Sequence, residues 1–184
     1  MKGRLGPEDR CHASVDGTDF RIQEPVQPRD PIWWSHKYNG PAVKYEICVG
    51  TTSRNIVWVN GPFPGARNDN RIFWEDGLAD NLYEGERLIA DAGYHDRPGE
   101  REVFEKINNK NDQDPKDRMI SLIRSRHETV NRRFKEWGCL GKTFRHNVQD
   151  HARCFFAVAN LVQLNNMMND SVVWDVHFDE SLWY

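Results

Sequence analysis

At 184 residues and 21.6 kDa, with 38% hydrophobic residues that include 7 Trp, 5 Tyr and 9 Phe, the chain has room for one domain of ordinary size with a real core. A formal charge of −3 and a pI near 6.2 would exclude a nucleic-acid partner if the charge were evenly spread, but residues 124–145 hold seven Lys or Arg against two acids, and local charge is the better guide. No apolar run approaches the ~20 residues of a bilayer span, and residues 1–11 lack the apolar centre of a signal peptide, so a soluble intracellular protein with no membrane partner is expected.

In chain order, residues 12–22 alternate around Val15 as a first strand should, and a Pro-rich link over 24–31 interrupts them. Residues 44–49 and 55–60 are two β-prone runs joined by the short polar connector 50–54, which predicts an antiparallel hairpin. Gly61-Pro62-Phe63-Pro64-Gly65 closes the third strand, and Asn68 or Asp69 caps a helix running through Leu82. Residues 87–90 read as a short buried strand leading to Asp91, and the hydrophilic stretch 108–118 as a surface loop. A long helix is predicted from Asp117 to about Trp137, with Ile123, His127, Val130, Phe134 and Trp137 as its apolar stripe. A last helix over 149–168 is apolar on most sides, through Phe155, Phe156, Val158, Leu161, Val162 and Leu164, and should pack on the sheet. This reading makes 1–168 the domain and 169–184 an acidic, aromatic tail without an assigned structure.

Three acids stand out. Asp16 and Asp91 each lie at a strand position close to glycine, where a core strand delivers a side chain to the mouth of a sheet. Glu128 shares a helix face with Arg124, Asn131 or Arg132, and Lys135, at spacings of three and four. A lone glutamate among arginines is most often a solvated ion-pair partner, and only the two aspartates lift it above that reading. Cleaving a phosphodiester needs an activated nucleophilic oxygen and stabilisation of charge at phosphorus. Two divalent ions roughly 3.5–4 Å apart supply both. Mg²⁺ and Mn²⁺ prefer carboxylate oxygen and water to thiolate, so Asp16, Asp91 and Glu128 suit them. Arg124, Arg132 and Lys135 would hold DNA phosphates, which gives affinity without sequence specificity.

Other residues have plainer readings. Cysteines 11, 48, 139 and 154 show no CxxC pairing, so free thiols are expected. Cys139, His146, His151 and Cys154 have no standard zinc spacing. Trp33 and Trp34 are read as closing a core edge rather than stacking on an unpaired base, and His127 as packed rather than catalytic. His95, beside Asp91, is a minor candidate for contact with a scissile phosphate.

Taken together, Val15-Asp16-Gly17-Thr18, Gly61-Pro-Phe-Pro-Gly-Ala-Arg-Asn-Asp69, Ile89-Ala-Asp-Ala-Gly-Tyr94 and Arg124-xxx-Glu128-xxxxxx-Lys135 resemble the DDE catalytic domain of PIF/Harbinger transposases, the group shared with Harbinger-derived nucleases. Each motif is weak alone; their order, with 37 residues from Asp91 to Glu128, makes the combination specific over about 12–165. The resemblance implies an α/β, RNase H-like mixed sheet whose first three strands are antiparallel, flanked by helices. It implies Asp16, Asp91 and Glu128 as catalytic and metal-binding acids of a Mg²⁺- or Mn²⁺-dependent endonuclease that hydrolyses DNA and transfers strands. Asp69 stays open between helix cap, support for the triad and a metal ligand, with the first two favoured. Ser121 stands where some bacterial relatives carry a tyrosine, which puts that hydroxyl's phosphate contact in doubt. Only 15 residues precede Asp16, too few for the helix-turn-helix region that full-length members carry, which points to a fragment, a separately encoded catalytic half or a domesticated remnant. Family precedent implies a Myb-like or helix-turn-helix partner protein, compatibility with a homo-oligomer, and nuclear localisation in a eukaryote or cytoplasmic otherwise. Two alternatives remain: a transposase-derived DNA-binding or protein-interaction module without catalysis, and an unrelated metal nuclease of the same fold. The second has no account of the Gly-Pro-Phe-Pro-Gly element.

Overall fold

The computed structural model describes residues 11–25, 30–53, 55–107 and 114–168. Its strands are β1 (Cys11–Arg21), β2 (Trp34–Ser35), β3 (Gly40–Gly50), β4 (Ile56–Pro64), β5 (Arg87–Ile89) and β6 (Phe104–Glu105). The helices are α1 (Asp69–Glu75), α2 (Leu78–Asn81), α3 (Pro115–Glu136), α4 (Gly138–Gly141) and α5 (Val148–Met168). β3 pairs antiparallel with both β1 and β4, whereas β5 joins the other side of β1 in parallel and β6 extends it. The three long strands are therefore antiparallel and the short ones complete a mixed sheet flanked by helices, the RNase H-like arrangement. The two-residue β2, paired with β3, is too short to leave a sequence pattern.

Alternation along the strands decides what each face meets. On β3, Val43, Tyr45, Ile47 and Val49 enter the core beneath α3 and α5, together with Phe20, Val130, Phe134, Phe155, Val158 and Val162. Tyr45 stacks on Phe155 at 3.6 Å between ring centroids, and Phe155 stacks on Phe134 at 4.9 Å. On the other face Ala13, Val15 and Cys48 pack with Phe73 of α1, Leu78 of α2, Tyr94 and Phe104.

Several expected boundaries move, each for a local reason. The helix expected over 69–82 divides into α1 and α2 at Gly77, whose φ of 104° lies outside helical space. Asn68, not Asp69, is its cap, accepting a hydrogen bond from the Arg71 amide. The third strand continues through Gly61-Pro62-Phe63-Pro64, because a register shift opposite Lys44 to Glu46 absorbs the interruption. α3 starts at Pro115 instead of 117, since Asp114 accepts from the Lys116 amide and Pro115 occupies the first turn. The expected loop therefore ends at Asp114, and its portion 108–113 lies outside the described residues, as does the tail 169–184. Trp137 leaves the predicted stripe: it follows the last turn of α3 and is 41% exposed. α5 buries Phe155, Val158 and Val162 but leaves Phe156, Leu161 and Leu164 exposed, so one flank is apolar and uncovered by the described residues. No helix is long and apolar enough to cross a membrane. Cys48, Cys139 and Cys154 are free thiols.

Candidate active site

The site forms where β1, the end of β5 and the first half of α3 meet. β1 and β5 run parallel with Ser14 opposite Ile89, and extending that register by two residues sets Asp91 opposite Asp16. The side chains of Ser14, Asp16, Thr18 and Phe20 point from β1 toward α3. Four residues of α-helix advance about 6.0 Å and two residues of strand about 6.7 Å, so a helix lying along a strand matches every fourth residue to every second. That match is seen here. His127 is hydrogen-bonded to Ser14 at 2.7 Å and Asn131 donates to Asp16 at 2.8 Å; Lys135, one turn further on, reaches past Thr18 so that its ammonium lies over the Phe20 ring.

A cavity of about 390 Å³ opens between these walls. It is lined by Asp16, Asp91 and Glu128, by Arg124, Arg132 and Lys135, and also by Ser14, Thr18, Lys37, His127 and Asn131. The three acids and three cations singled out from the sequence thus share one cavity, although 112 positions separate the first acid from the last. A second cavity of about 290 Å³ adjoins it, sharing Asp16, Asp91 and Lys37, and adding Asp69, Lys44, His36 and Arg67.

The charge distribution is uneven. Burial pushes the Asp16 carboxyl up to about 7, and the like charges of Asp91 and Asp69 push the same way, against Lys37 and the Gly17 amide. Asp91 is held by a tight turn in which the Gly93 amide donates to its carboxylate at 2.7 Å. Tyr94, buried against Phe73 and Phe104, anchors that turn to the core. On the helix wall Glu128 and Arg132 are exposed, and Arg132 pairs only loosely with Glu136, at 3.7 Å. Lys37 and Arg124 enter no salt bridge among the described residues. Burial and the neighbouring Lys37 lower the proton affinity of Lys135.

Asp69 is placed differently. It belongs to α1 on the far face of the sheet and pairs with Lys44 at 2.8 Å. Its carboxylate lies so close over β1 that a Cβ on Gly17 would fall 2.1 Å from Oδ1. The glycine after Asp16 is what admits it.

The remaining candidates fall away from the cavity. His95 is exposed, with its amide hydrogen-bonded to Asn70, and does not line the cavity. His151 is buried and hydrogen-bonded to the Tyr45 hydroxyl at 2.9 Å. Trp33 packs on the core while Trp34 is 42% exposed. Lys37 carries no sequence signal for the site, because it stands on a turn far from any motif. Helical spacing allows Asn131 or Arg132 at one position, whereas both line the cavity.

A family model described as DDE superfamily endonuclease matches residues 15–163. The chain belongs to that family. Comparison with curated proteins gave no significant match, and comparison with solved structures gave none either. The matched DDE region runs from the strand carrying Asp16 into the second half of α5, so it contains both walls of the cavity.

As donors for a hard divalent cation, the carboxylates of this DDE domain are of the right type, and a cation would offset both the burial and the like-charge repulsion that raise Asp16. They are not gathered in advance. Among the described residues no three His, Cys, Asp or Glu side chains stand together as a metal-holding group. Asp16 is engaged by Asn131, Asp91 by Gly93 and Asp69 by Lys44, while Glu128 projects from the helix wall.

Proposed function

We propose that this domain is a divalent-metal-dependent DNA endonuclease of the transposase type, with Asp16, Asp91 and Glu128 as the acids that hold Mg²⁺ or Mn²⁺. The observation that supports the reading is one cavity whose lining includes these three acids together with Arg124, Arg132 and Lys135. When bound, a pair of such ions supplies a Lewis acid at both the attacking and the leaving oxygen of a phosphodiester. The chain's own residues do the rest. Asn131 fixes one oxygen of Asp16, the Gly93 turn fixes Asp91, and Lys37, Arg124, Arg132 and Lys135 offer cationic contacts to phosphates on either side of the reacting bond. Strand transfer, and membership of the PIF/Harbinger group, extend the same reading: the Gly-Pro-Phe-Pro-Gly element and the Arg124, Glu128, Lys135 spacing support them.

Nicking of supercoiled plasmid with Mg²⁺ or Mn²⁺ tests the proposal. Wild-type protein is expected to nick, and Asp16→Asn, Asp91→Asn and Glu128→Gln each to lose activity by about a thousandfold or more. Nicking that survives all three changes would overturn the mechanism. A folded wild-type protein that binds DNA but never nicks would favour the non-catalytic module. A Myb-like partner, specific DNA targets and nuclear localisation belong to the same proposal and rest on family precedent.

A further inference from the structure

Buried Lys44 and Asp69, whose side chain is one-third exposed but whose Oδ1 is covered, form an ion pair directly behind the proposed catalytic strand. Lys44 stands opposite Asp19 in the β1–β3 register and is 8% exposed. Its ammonium lies 2.8 Å from Asp69 and 3.8 Å from Asp19, and donates to the Arg67 carbonyl at 2.8 Å. Asp19 is fixed in turn by the Ser35 hydroxyl. Asp69, pressed over Gly17, is near enough to Asp16 and Asp91 for the charges to act on one another, and it lines the adjoining cavity with both.

We propose that Lys44 is a positioning residue that holds Asp69 out of the cation-binding set, leaving Asp16, Asp91 and Glu128 to form it. The inference rests on the metal-dependent nuclease reading above. Asp69 Oδ1 already receives the Lys44 ammonium at ion-pair distance, and a buried cation that loses such a partner is penalised. Withdrawing Asp69 from Lys44 would also leave that cation with only the longer, 3.8 Å contact to Asp19. The same contact explains why four acidic residues near one strand end, Asp16, Asp19, Asp69 and Asp91, do not form a ready ligand group: one lysine occupies two of them. A lysine that only stapled α1 to the sheet would affect folding and nothing else.

The discriminating measurement is the Mn²⁺ concentration at the midpoint of a thermal shift, without DNA, for the whole chain at pH 8. In Lys44→Met, one unit of negative charge is released beside Asp16 and Asp91, and the midpoint is expected to fall roughly tenfold. The double variant Lys44→Met/Asp69→Asn removes the pair with no net change in charge, and its midpoint is expected within about twofold of wild type. Lys44→Arg should restore the wild-type midpoint. If Lys44→Met does not fold, Lys44→Gln carries the same comparison, since it keeps a donor for Asp69 without the charge. An unchanged midpoint with a lowered melting temperature in the absence of metal would reduce Lys44 to a staple. A tenfold weakening in the double variant would make Asp69 a ligand, and either result overturns the proposal. Absence of any Mn²⁺-induced shift in wild type and all variants would instead bring down the nuclease reading, and this inference with it.

Discussion

One face of the sheet is built in two ways. Toward one end it carries Phe20 and Tyr45 beneath Phe134 and Phe155, a dry aromatic stack with its buried polar group paired to a partner, Tyr45 to His151. Toward the other end it presents Ser14, Asp16 and Thr18 to α3, and the space between fills with ionisable groups instead of rings. Both ends are crossed by the same helix on the same strand, with His127, Asn131 and Lys135 one turn apart. The difference lies in three residues of β1 that point inward and are polar, and it shows that an inward-facing polar run on a core strand marks a site, because a strand meant only for packing would not accept the desolvation cost.

The comparison can be broken most severely at the dry end. Phe155→Ala removes the ring stacked between Tyr45 and Phe134 and is expected to cost about 3–5 kcal/mol, read from urea unfolding; a cost below ~1 kcal/mol would show that the stack does not hold the sheet face. At the wet end, Asn131→Ala frees one oxygen of Asp16 and is expected to lower the nicking rate by roughly 10–100-fold while leaving the unfolding midpoint almost unchanged. Equal losses of stability and rate would mean that Asn131 is packing rather than positioning.

Acid and base should separate the Asp16 carboxyl by sign from the buried histidines, His151 at the dry end and His127 at the wet end. Asp16 is raised from 3.8 to about 7 in the fold, so between those values the folded state holds a proton that the unfolded state has lost, and metal-free stability falls as pH rises through that window. His151 is lowered to about 4 and His127 to about 3, both by burial, so their contribution is present above about 6.5 and is lost as pH falls below it. The gap in melting temperature between Asp16→Asn and wild type should therefore widen from pH 5 to 8 without metal. A gap that narrows instead would mean that neither burial nor the neighbouring acids raise the carboxyl. The smallest effect belongs to the helix rim: Arg132→Ala should reduce the salt dependence of DNA binding by about one unit of slope, with little change in stability.

Much of this arrangement was legible in the sequence because strand alternation and helical spacing are periodic. The antiparallel hairpin, the short strand ending before Asp91 and the cationic face around Glu128 all follow from such repeats. What escaped had no period. The break at Gly77 depends on one backbone angle, the start of α3 on a single aspartate and proline, and Lys37 reaches the cavity from a turn fixed only by tertiary packing. Trp137 fitted the stripe by spacing alone, but the helix ends one residue too early to bury it. The role of Asp69 was undecidable for a different reason: its partner Lys44 is 25 positions away and reads, in isolation, as an ordinary lysine in a strand.

Among the described residues β4 pairs with β3 and with no strand on its other side, which leaves an outer rim of backbone able to recruit a strand from another molecule. Two prolines, Pro62 and Pro64, fall in its second half and bring no amide hydrogen to that rim. Intermolecular strand addition would have to begin at its opening residues, where Val57 is 55% exposed but the Ile56 amide already donates to the Gln163 side chain of α5 at 2.7 Å. The proline-rich element that helps to classify the chain therefore also acts as a guard against aggregation over half of that border.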